Sequence, residues 1–239
     1  MDGRRVTVVR SFLFHCTHRW LRLTILAFYS LRRCHLAKVR LDNAKTALVE
    51  SRPSARVVVH YHPFMIDPQT QPSGEPYADY NRRRWGGDGW THSMRRMGKA
   101  EGAPYANWVT WPNTTHCSRL LIFAEKHNLG DAVIGKLYQA CYEEGQNVST
   151  RETVAKVATE VGVPNGAEYI MSDEGMPELQ QCLNNPKAGG KRVRAAPTFQ
   201  LRVGEASHVL SGAQESEAWL SMLEQVADYA EAAKAARRE

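Results

Sequence analysis

A cysteine at the predicted start of a helix is the residue in this chain best placed to do chemistry. Cys34 stands beside Arg32, Arg33 and His35, and a helical pattern begins at this point. Cationic neighbours and a helix N-terminus both lower the pKa of a thiol and favour the nucleophilic thiolate. One interpretation of Cys34 is therefore a reactive thiolate, and the other is a buried, inert cysteine.

The remaining cysteines do not complete a disulfide framework. Five cysteines occur at irregular spacing, and no CxxC motif occurs anywhere in the chain. A reducing compartment is the default for such a chain, and we expect a cytoplasmic protein. Residues 3–40 are rich in arginine and contain no acidic residue, which leaves an organellar location, mitochondrion or plastid, as the alternative.

Charge and composition exclude several classes of protein. The net charge of +6 arises largely from residues 3–40, and no basic face with interleaved aromatic residues recurs elsewhere, so we expect no nucleic-acid binding. The apolar runs near the start are interrupted by Arg10, Arg19 and Arg22, so we expect no membrane span. With 239 residues, 43% hydrophobic and 23% charged, the chain is long enough for a substantial core.

Two histidines are of the type that binds metal ions. His60 and His62 lie on the same side of a predicted strand end. A zinc site needs at least a third ligand, and the neighbouring sequence offers none. We interpret the pair as the polar side of a strand end and expect no metal site.

The elements around Cys34 form a strand–helix–strand unit. Residues 23–29 are a short apolar run typical of a buried strand, and residues 57–61 are a second one. The helix between them has one apolar face, made of Ala37, Leu41, Ala44 and Leu48. Strands joined in this way are parallel.

The rest of the chain is predicted to be a helical block followed by two strands and a helix. Within the block, Ser149 and Glu152 have the spacing of a capping box at a helix start, and Gly162 ends that helix. Pro197 opens an alternating strand, a second strand follows at 207–210, and an amphipathic helix ends the chain.

A sheet split by a helical insertion in this order has few natural solutions, and one of them is an α/β, thioredoxin-like fold with a helical insertion domain. The predicted boundaries are an N-terminal extension at 1–22, a thioredoxin-like domain formed by 23–76 and 176–239, and an inserted helical domain at 77–175. In the thioredoxin fold, the first strand of the second half follows a cis proline that faces the start of the first helix.

Several short motifs resemble the DsbA family of thioredoxin-fold proteins, in particular its FrnE-like branch. The clearest follows the second strand and is His62-Pro63-Phe64-Met65-Ile66-Asp67-Pro68, which resembles the family signature RPFxLDP. Further matches occur in the same order at 113–114, 119–120, 140–145, 194–199 and 211–214. The branch is related to 2-hydroxychromene-2-carboxylate isomerases and kappa-class glutathione transferases. The resemblance covers roughly 23–227 and implies a cis peptide bond between Ala196 and Pro197.

The active site that the resemblance implies is incomplete. The family carries CPWC, or a serine-containing equivalent, at the start of the first helix, and Cys34 fits the second cysteine while Leu31 stands at the first. The attacking half of the dithiol is therefore missing. Ser30 is one residue away and is a candidate to hold a glutathione thiolate. Two alternatives stay open here: a register in which Cys16 is the nucleophile, and a natural N-terminus that differs from residues 1–33.

The resemblance implies an oxidoreductase that acts on thiol or disulfide substrates, with Cys34 as the catalytic residue. The residues that it implies in substrate binding are Ala196, Pro197, Ser30, Asn113 and Thr114. The alternatives are a glutathione-dependent isomerase or transferase and a non-catalytic thioredoxin-fold binding protein. The expected partner is a thiol or disulfide substrate, or glutathione as co-substrate, with no other cofactor, and a homodimer is one option for the assembly.

Overall fold

The computed structural model describes residues 21–29, 31–184, 186–188, 190–203 and 206–236. Ser30, Cys16 and most of the predicted N-terminal extension lie outside these residues. The elements in chain order are β1 (Leu21–Tyr29), α1 (Leu31–Ser51), β2 (Ala55–Pro63), β3 (Glu75–Pro76), α2 (Tyr77–Trp85), α3 (Gly89–Glu101), β4 (Thr110–Trp111), α4 (Thr115–Glu125), α5 (Gly130–Tyr138), a π-helical turn (Gln139–Glu143), α6 (Arg151–Val161), α7 (Gly166–Met171), α8 (Met176–Asn184), β5 (Lys187–Ala188), β6 (Lys191–Arg192), β7 (Thr198–Val203), β8 (Ala206–Ser211) and α9 (Ser216–Ala236). Over the described ranges, no helix is long and apolar enough to cross a membrane.

The central sheet has the strand order β2-β1-β7-β8. β1 pairs with β2 in parallel, as predicted for a strand–helix–strand unit, and with β7 in antiparallel orientation. β8 then pairs antiparallel with β7. β1 is therefore an inner strand, and its two neighbours come from opposite ends of the chain.

Three segments that are distant in the sequence meet at one edge of this sheet. The register pairs Tyr29 with Pro63 and Phe28 with Thr198. Because α1 follows β1 directly, the start of α1 lies at the same edge as the chain that leaves β2 and the residue that enters β7, Pro197. This sheet edge is where the residues predicted to do chemistry are brought together.

The apolar face predicted for α1 is confirmed, since Ala37, Leu41, Ala44 and Leu48 are all buried. α9 packs beside α1 and contributes its own buried face. Its Trp219 meets Phe199 of β7 edge-on, with 4.8 Å between the ring centroids. The two halves of the sequence are thus joined by one hydrophobic core around the sheet.

The predicted capping box at the start of α6 is wrong by one residue. The N-cap is Thr150, whose hydroxyl oxygen accepts a hydrogen bond from the backbone N–H of Thr153 at 3.3 Å. The Ser149 hydroxyl instead accepts from the backbone N–H of Asn113 at 2.9 Å. The Ser149 hydroxyl is therefore engaged in a tertiary hydrogen bond with Asn113, and Thr150, the next residue, caps the helix. Gly162 ends α6 at φ 76°, as predicted.

A cluster of charges joins α1 to β2 and α5. Lys38 Nζ lies 2.7 Å from Asp42 Oδ2 and 2.8 Å from Asp131 Oδ1. Lys45 contacts the same two carboxylates at 3.0 and 3.2 Å, and the Tyr61 hydroxyl donates to Asp131 at 2.7 Å. Asp131 is therefore the common partner of two lysines and a tyrosine.

This cluster makes stability depend on pH. Burial alone would raise the pKa of Asp131, but Lys38 and Lys45, with hydrogen bonds from Lys38 and Tyr61, lower it to about 2. Because this pKa lies below its ordinary value, ionised Asp131 stabilises the fold above about pH 4, and the contribution is lost as pH falls towards about 2.

We expect Asp131→Asn to lower the free energy of unfolding by about 1 kcal/mol at neutral pH, because the carboxylate is 41% exposed and solvent screens it. The difference from the wild type should shrink as the pH is lowered below about 4. Urea denaturation of both proteins across this range measures it. Asp79→Asn, which removes an exposed i,i+3 pair with Arg82, is the control. A difference that is constant with pH would contradict the assignment.

Candidate functional site

Cys34 is the fourth residue of α1, and Leu31 is the first. Cys34 is only 5% exposed and belongs to the main hydrophobic core. The electrostatic effect of a helix N-terminus is confined to the first turn of the helix. Cys34 lies at the end of that turn. The thiol therefore lies one helical turn below the position where the family carries its first cysteine.

His35 is held in a buried aromatic setting. Its Nε2 lies 3.0 Å from Glu143 Oε1, and its ring is stacked with that of Tyr142 at 5.5 Å between centroids and 12° between planes. Burial lowers the pKa of His35 below 6.5, although Glu143 opposes this. His35 is thus mainly neutral at neutral pH, and the expectation that it adds positive charge beside Cys34 is wrong.

Glu143, in the π-helical turn, connects the start of α1 to the helical block. Besides His35, its carboxylate accepts hydrogen bonds from the backbone N–H groups of Tyr105 and Ala106, each at 3.1 Å. The Tyr105 hydroxyl oxygen in turn accepts from the Leu36 backbone N–H at 3.2 Å. Burial raises the pKa of Tyr105, so its phenol stays protonated. The first turns of α1 are thereby fixed to residues far away in sequence.

A narrow cleft of about 20 Å³ opens beside this network. Its wall includes Tyr142, which stacks on His35, and Trp108, whose ring lies 5.1 Å from that of Tyr142. The opposite side comes from the chain that leaves β2, where Met65 and Ile66 line the cleft. The cleft therefore lies between the sheet edge and the helical block, next to the residue that follows Cys34.

The predicted binding residues Asn113 and Thr114 both line this cleft. The Asn113 side chain shapes the loop, because its Nδ2 donates to the Thr70 carbonyl at 2.9 Å and its Oδ1 accepts from the Thr115 N–H at 3.0 Å. Thr114 is the N-cap residue of α4, and its side chain makes no capping hydrogen bond. Of the two, Thr114 is the side chain better placed to contact a ligand.

Ala196 and Pro197 lie at the same sheet edge, and the peptide bond between them is cis. Pro197 is buried and Ala196 is half-buried. The Pro197 carbonyl accepts from the Gly212 N–H at 2.9 Å, and the Thr198 hydroxyl donates to the Ala195 carbonyl at 2.8 Å. The loop before β7 is thus anchored on both sides, which leaves the backbone around Ala196 in a defined position.

The other described cysteines lie away from this edge or are inert. None of the four described cysteines forms a disulfide. Cys117 donates to the Val148 carbonyl at 3.2 Å, and burial raises its pKa to about 12. Burial also raises the pKa of Cys141 and Cys182. These residues are thiols at neutral pH and are not candidates for the nucleophile.

His60, one of the two histidines of β2, is paired with a carboxylate. His60 Nδ1 lies 2.8 Å from Glu125 Oε2, and the Tyr61 backbone N–H donates to the other oxygen of that carboxylate at 2.9 Å. Gly130 leaves room for the Glu125 carboxylate, because a β carbon at position 130 would lie 2.0 Å from Glu125 Oε1. In the part of the chain that the structure describes, no group of three metal-ligating residues is arranged to hold an ion.

Comparison with known proteins accounts for this arrangement. A family model described as the DSBA-like thioredoxin domain matches residues 32–224, which is most of the chain. The chain belongs to the DSBA-like thioredoxin domain family. This confirms the predicted family and the predicted α/β thioredoxin-like fold with its helical insertion.

Individual relatives of this DSBA-like chain are distant. A curated relative, the uncharacterized protein YwbO of Bacillus subtilis, is 27% identical over 159 residues, which cover 65% of this chain and 77% of YwbO. A probable DsbA oxidoreductase from Streptomyces coelicolor is 19% identical, with a TM-score of 0.68 over 86% of this chain and 89% of its own. The cytosolic disulfide reductase DsbM of Pseudomonas aeruginosa, solved with GSH, is 20% identical, with a TM-score of 0.56 over 86% and 98%. These likenesses show the fold.

Sequence reasoning missed Glu143 and Tyr105 in this DSBA-like site. Their partners are separated from them by many residues along the chain, and no local spacing connects them. The one sequence signal is that residue 143 lies within a motif, 140–145, that matches the family. Ser30, also predicted for the site, lies outside the described residues.

Proposed function

We propose that this DSBA-like protein performs thiol–disulfide exchange through a single cysteine, Cys34, with glutathione as the second thiol. The observation that carries the proposal is the position of Cys34 in the first turn of α1, at the sheet edge that also contains Pro197. Leu31 at the start of the helix removes the attacking cysteine of a dithiol site, so a second thiol has to come from solution.

The exchange proceeds in two balanced steps. The Cys34 thiolate attacks one sulfur of a substrate disulfide, a new disulfide forms between Cys34 and one half of the substrate, and the other half leaves as a thiolate. A glutathione thiolate then attacks the substrate sulfur of this mixed disulfide. Cys34 leaves as a thiolate, and a disulfide between substrate and glutathione is released. The Cys34 proton passes to solvent before the first step.

The burial of Cys34 sets the conditions for this reaction. Because only 5% of Cys34 is exposed, a substrate disulfide reaches the sulfur only when the first turn of α1 moves away from the residues that are packed over it. We therefore expect the exchange to be slow in comparison with that of an exposed helix-start thiolate. The backbone of Ala196 is proposed to align the substrate beside the sulfur.

A second candidate function is a glutathione-dependent isomerase or transferase reaction. The structural neighbour DsbM, solved with GSH, is what supports it. In this case Cys34 or Ser30 would position the glutathione sulfur and would not form a disulfide. A third candidate function is the binding of peptides without turnover. Its one support is the burial of Cys34.

A glutathione-coupled reduction assay tests the proposal. The substrate is a short peptide that carries a glutathione mixed disulfide, and the readout is oxidised glutathione formed over time. We expect Cys34→Ser to reduce the rate about 100-fold. Cys182→Ser, which removes a half-buried thiol on α8, is the matched control and should retain the wild-type rate.

Three further outcomes separate the candidates. Full activity in Cys34→Ser, or loss in Cys16→Ser instead, would contradict the assignment of the nucleophile. A wild type that shows no exchange but binds glutathione in calorimetry would favour the isomerase or transferase candidate. A wild type with neither property would favour the binding protein.

A further inference from the structure

A second, larger depression lies between α8 and the segment that leads to Pro197. This α8 groove, as we name it, has a volume of about 820 Å³. Its apolar lining consists of Phe64 and Met65 from the chain that leaves β2, Leu179 and Leu183 from α8, and Val193 before β7. This volume lies in the upper part of the range of about 300–1000 Å³ typical of small-molecule sites.

The α8 groove is continuous with the candidate site. Met65 lines both the groove and the cleft beside His35. At its other side, the groove is lined by Arg194, three residues before Pro197. Since Pro197 and the start of α1 lie at the same sheet edge, a chain in the groove would lead towards Cys34.

The rim of the α8 groove is cationic. The segment 187–194 contains four cations and no acidic residue, and all four are exposed: Lys187, Lys191, Arg192 and Arg194. Within the described residues, none of them forms an ion pair or a side-chain hydrogen bond, whereas Glu178 of α8 is already paired with Lys126 at 2.7 Å. Arg192 and Arg194, which line the groove, therefore present positive charge that no acidic residue pairs with in the described part of the chain.

The segment that carries these cations has a defined shape. β5 and β6 pair as a short antiparallel hairpin, and the Val193 N–H donates to the Pro186 carbonyl at 2.8 Å. Ala188 and Val193 are buried together against Phe64. The cations therefore belong to a folded hairpin that packs against the lining of the groove.

We propose that the α8 groove binds an acidic polypeptide segment of the substrate, with apolar side chains against its lining and carboxylates against Arg192 and Arg194. Opposite charge gives both attraction and selectivity at such a surface, and the apolar lining of the groove can contact apolar side chains of a polypeptide, which glutathione lacks. The inference rests on the proposed function for the chemistry at Cys34, and it adds the class of substrate.

Binding of a labelled peptide without cysteine tests this inference independently of any thiol chemistry. The probe is a fluorescent twelve-residue peptide of leucine, aspartate and glutamate with serine at the central position, and its reference has asparagine and glutamine in place of the acids. Fluorescence anisotropy gives both affinities for the full chain. We expect the acidic peptide to bind at least about fivefold more tightly, and the preference to decrease with added salt.

The double variant Arg192→Ser/Arg194→Ser should weaken binding of the acidic peptide about tenfold. The matched control is Arg96→Ser/Lys99→Ser, which removes the same charge from exposed positions on α3 and should leave the affinity unchanged. Equal affinities for both peptides, equal losses in both double variants, or displacement of the peptide by millimolar glutathione would overturn the inference.

The same variants separate this inference from the proposed exchange reaction. If exchange is absent in all proteins while the acidic peptide binds selectively, the reaction fails and the groove assignment stands. If exchange depends on Cys34 but the peptides bind alike, the groove assignment fails and the reaction stands.

Discussion

Replacing Arg119 with methionine should lower the free energy of unfolding by about 3 kcal/mol. Arg119 is completely buried, and its guanidinium donates to the carbonyls of Tyr169 at 2.9 Å, Ser172 at 2.7 Å and Glu174 at 2.6 Å. These carbonyls belong to the end of α7 and the turn after it, where a helix has no donors of its own. Methionine fills similar space but removes the donor to the Glu174 carbonyl, and the Tyr169 and Ser172 carbonyls keep only the Ser172 hydroxyl and Arg151 as side-chain donors.

Urea denaturation followed by circular dichroism measures the loss. Arg151→Met is the matched control, because Arg151 also donates to the Met171 carbonyl at 3.0 Å and pairs with Asp173, but from a partly exposed position. We expect the control to lose about 1 kcal/mol, since water can replace Arg151. Equal losses in both variants would show that burial of the Arg119 guanidinium is not the cause.

Glu143→Ala should make Cys34 react about tenfold faster with an alkylating reagent. The substitution removes the acceptor that Glu143 provides to His35 at 3.0 Å and to the Tyr105 N–H at 3.1 Å. A buried imidazole without its partner destabilises the packing around the first turns of α1, and local opening of that packing is what exposes the thiol. A change of 1.4 kcal/mol in the free energy of opening corresponds to tenfold in rate.

Mass spectrometry of the Cys34 peptide after timed alkylation gives the rate. Glu143→Gln retains a carbonyl acceptor and should stay within about threefold of the wild type. Glu144→Ala removes the neighbouring carboxylate, which pairs with Lys136 at 3.3 Å, and serves as the control. If Glu144→Ala accelerates alkylation as much as Glu143→Ala does, the network around His35 is not what protects Cys34.

The backbone plan of this protein is predictable from its sequence because it follows from local patterns. The apolar face of α1 and the Gly162 helix end depend on residues within one or two turns of each other. Each of these features needs only neighbours along the chain.

The candidate site is less predictable because its contacts are long-range. Glu143 and His35 meet only when the helical block folds back onto α1, and nothing near either residue specifies the partner. The same reason explains the capping error at α6, where Ser149 is taken by the Asn113 backbone and Thr150 becomes the cap. Burial of His35 likewise lowers its pKa and favours the neutral imidazole, where the sequence suggested a cation beside Cys34.

The inner position of β1 has a consequence for how the chain folds as it is synthesised. β2 emerges soon after β1, but the other neighbour, β7, pairs Thr198 with Phe28, so the whole helical block is made in between. Synthesis proceeds at about 5–20 residues per second, so the side of β1 that pairs with β7 in the finished fold stays unpaired for about 10 to 30 s. An unpaired strand edge is a site of aggregation. A nascent chain that stops before β7 therefore presents an open edge where the finished protein has a closed one.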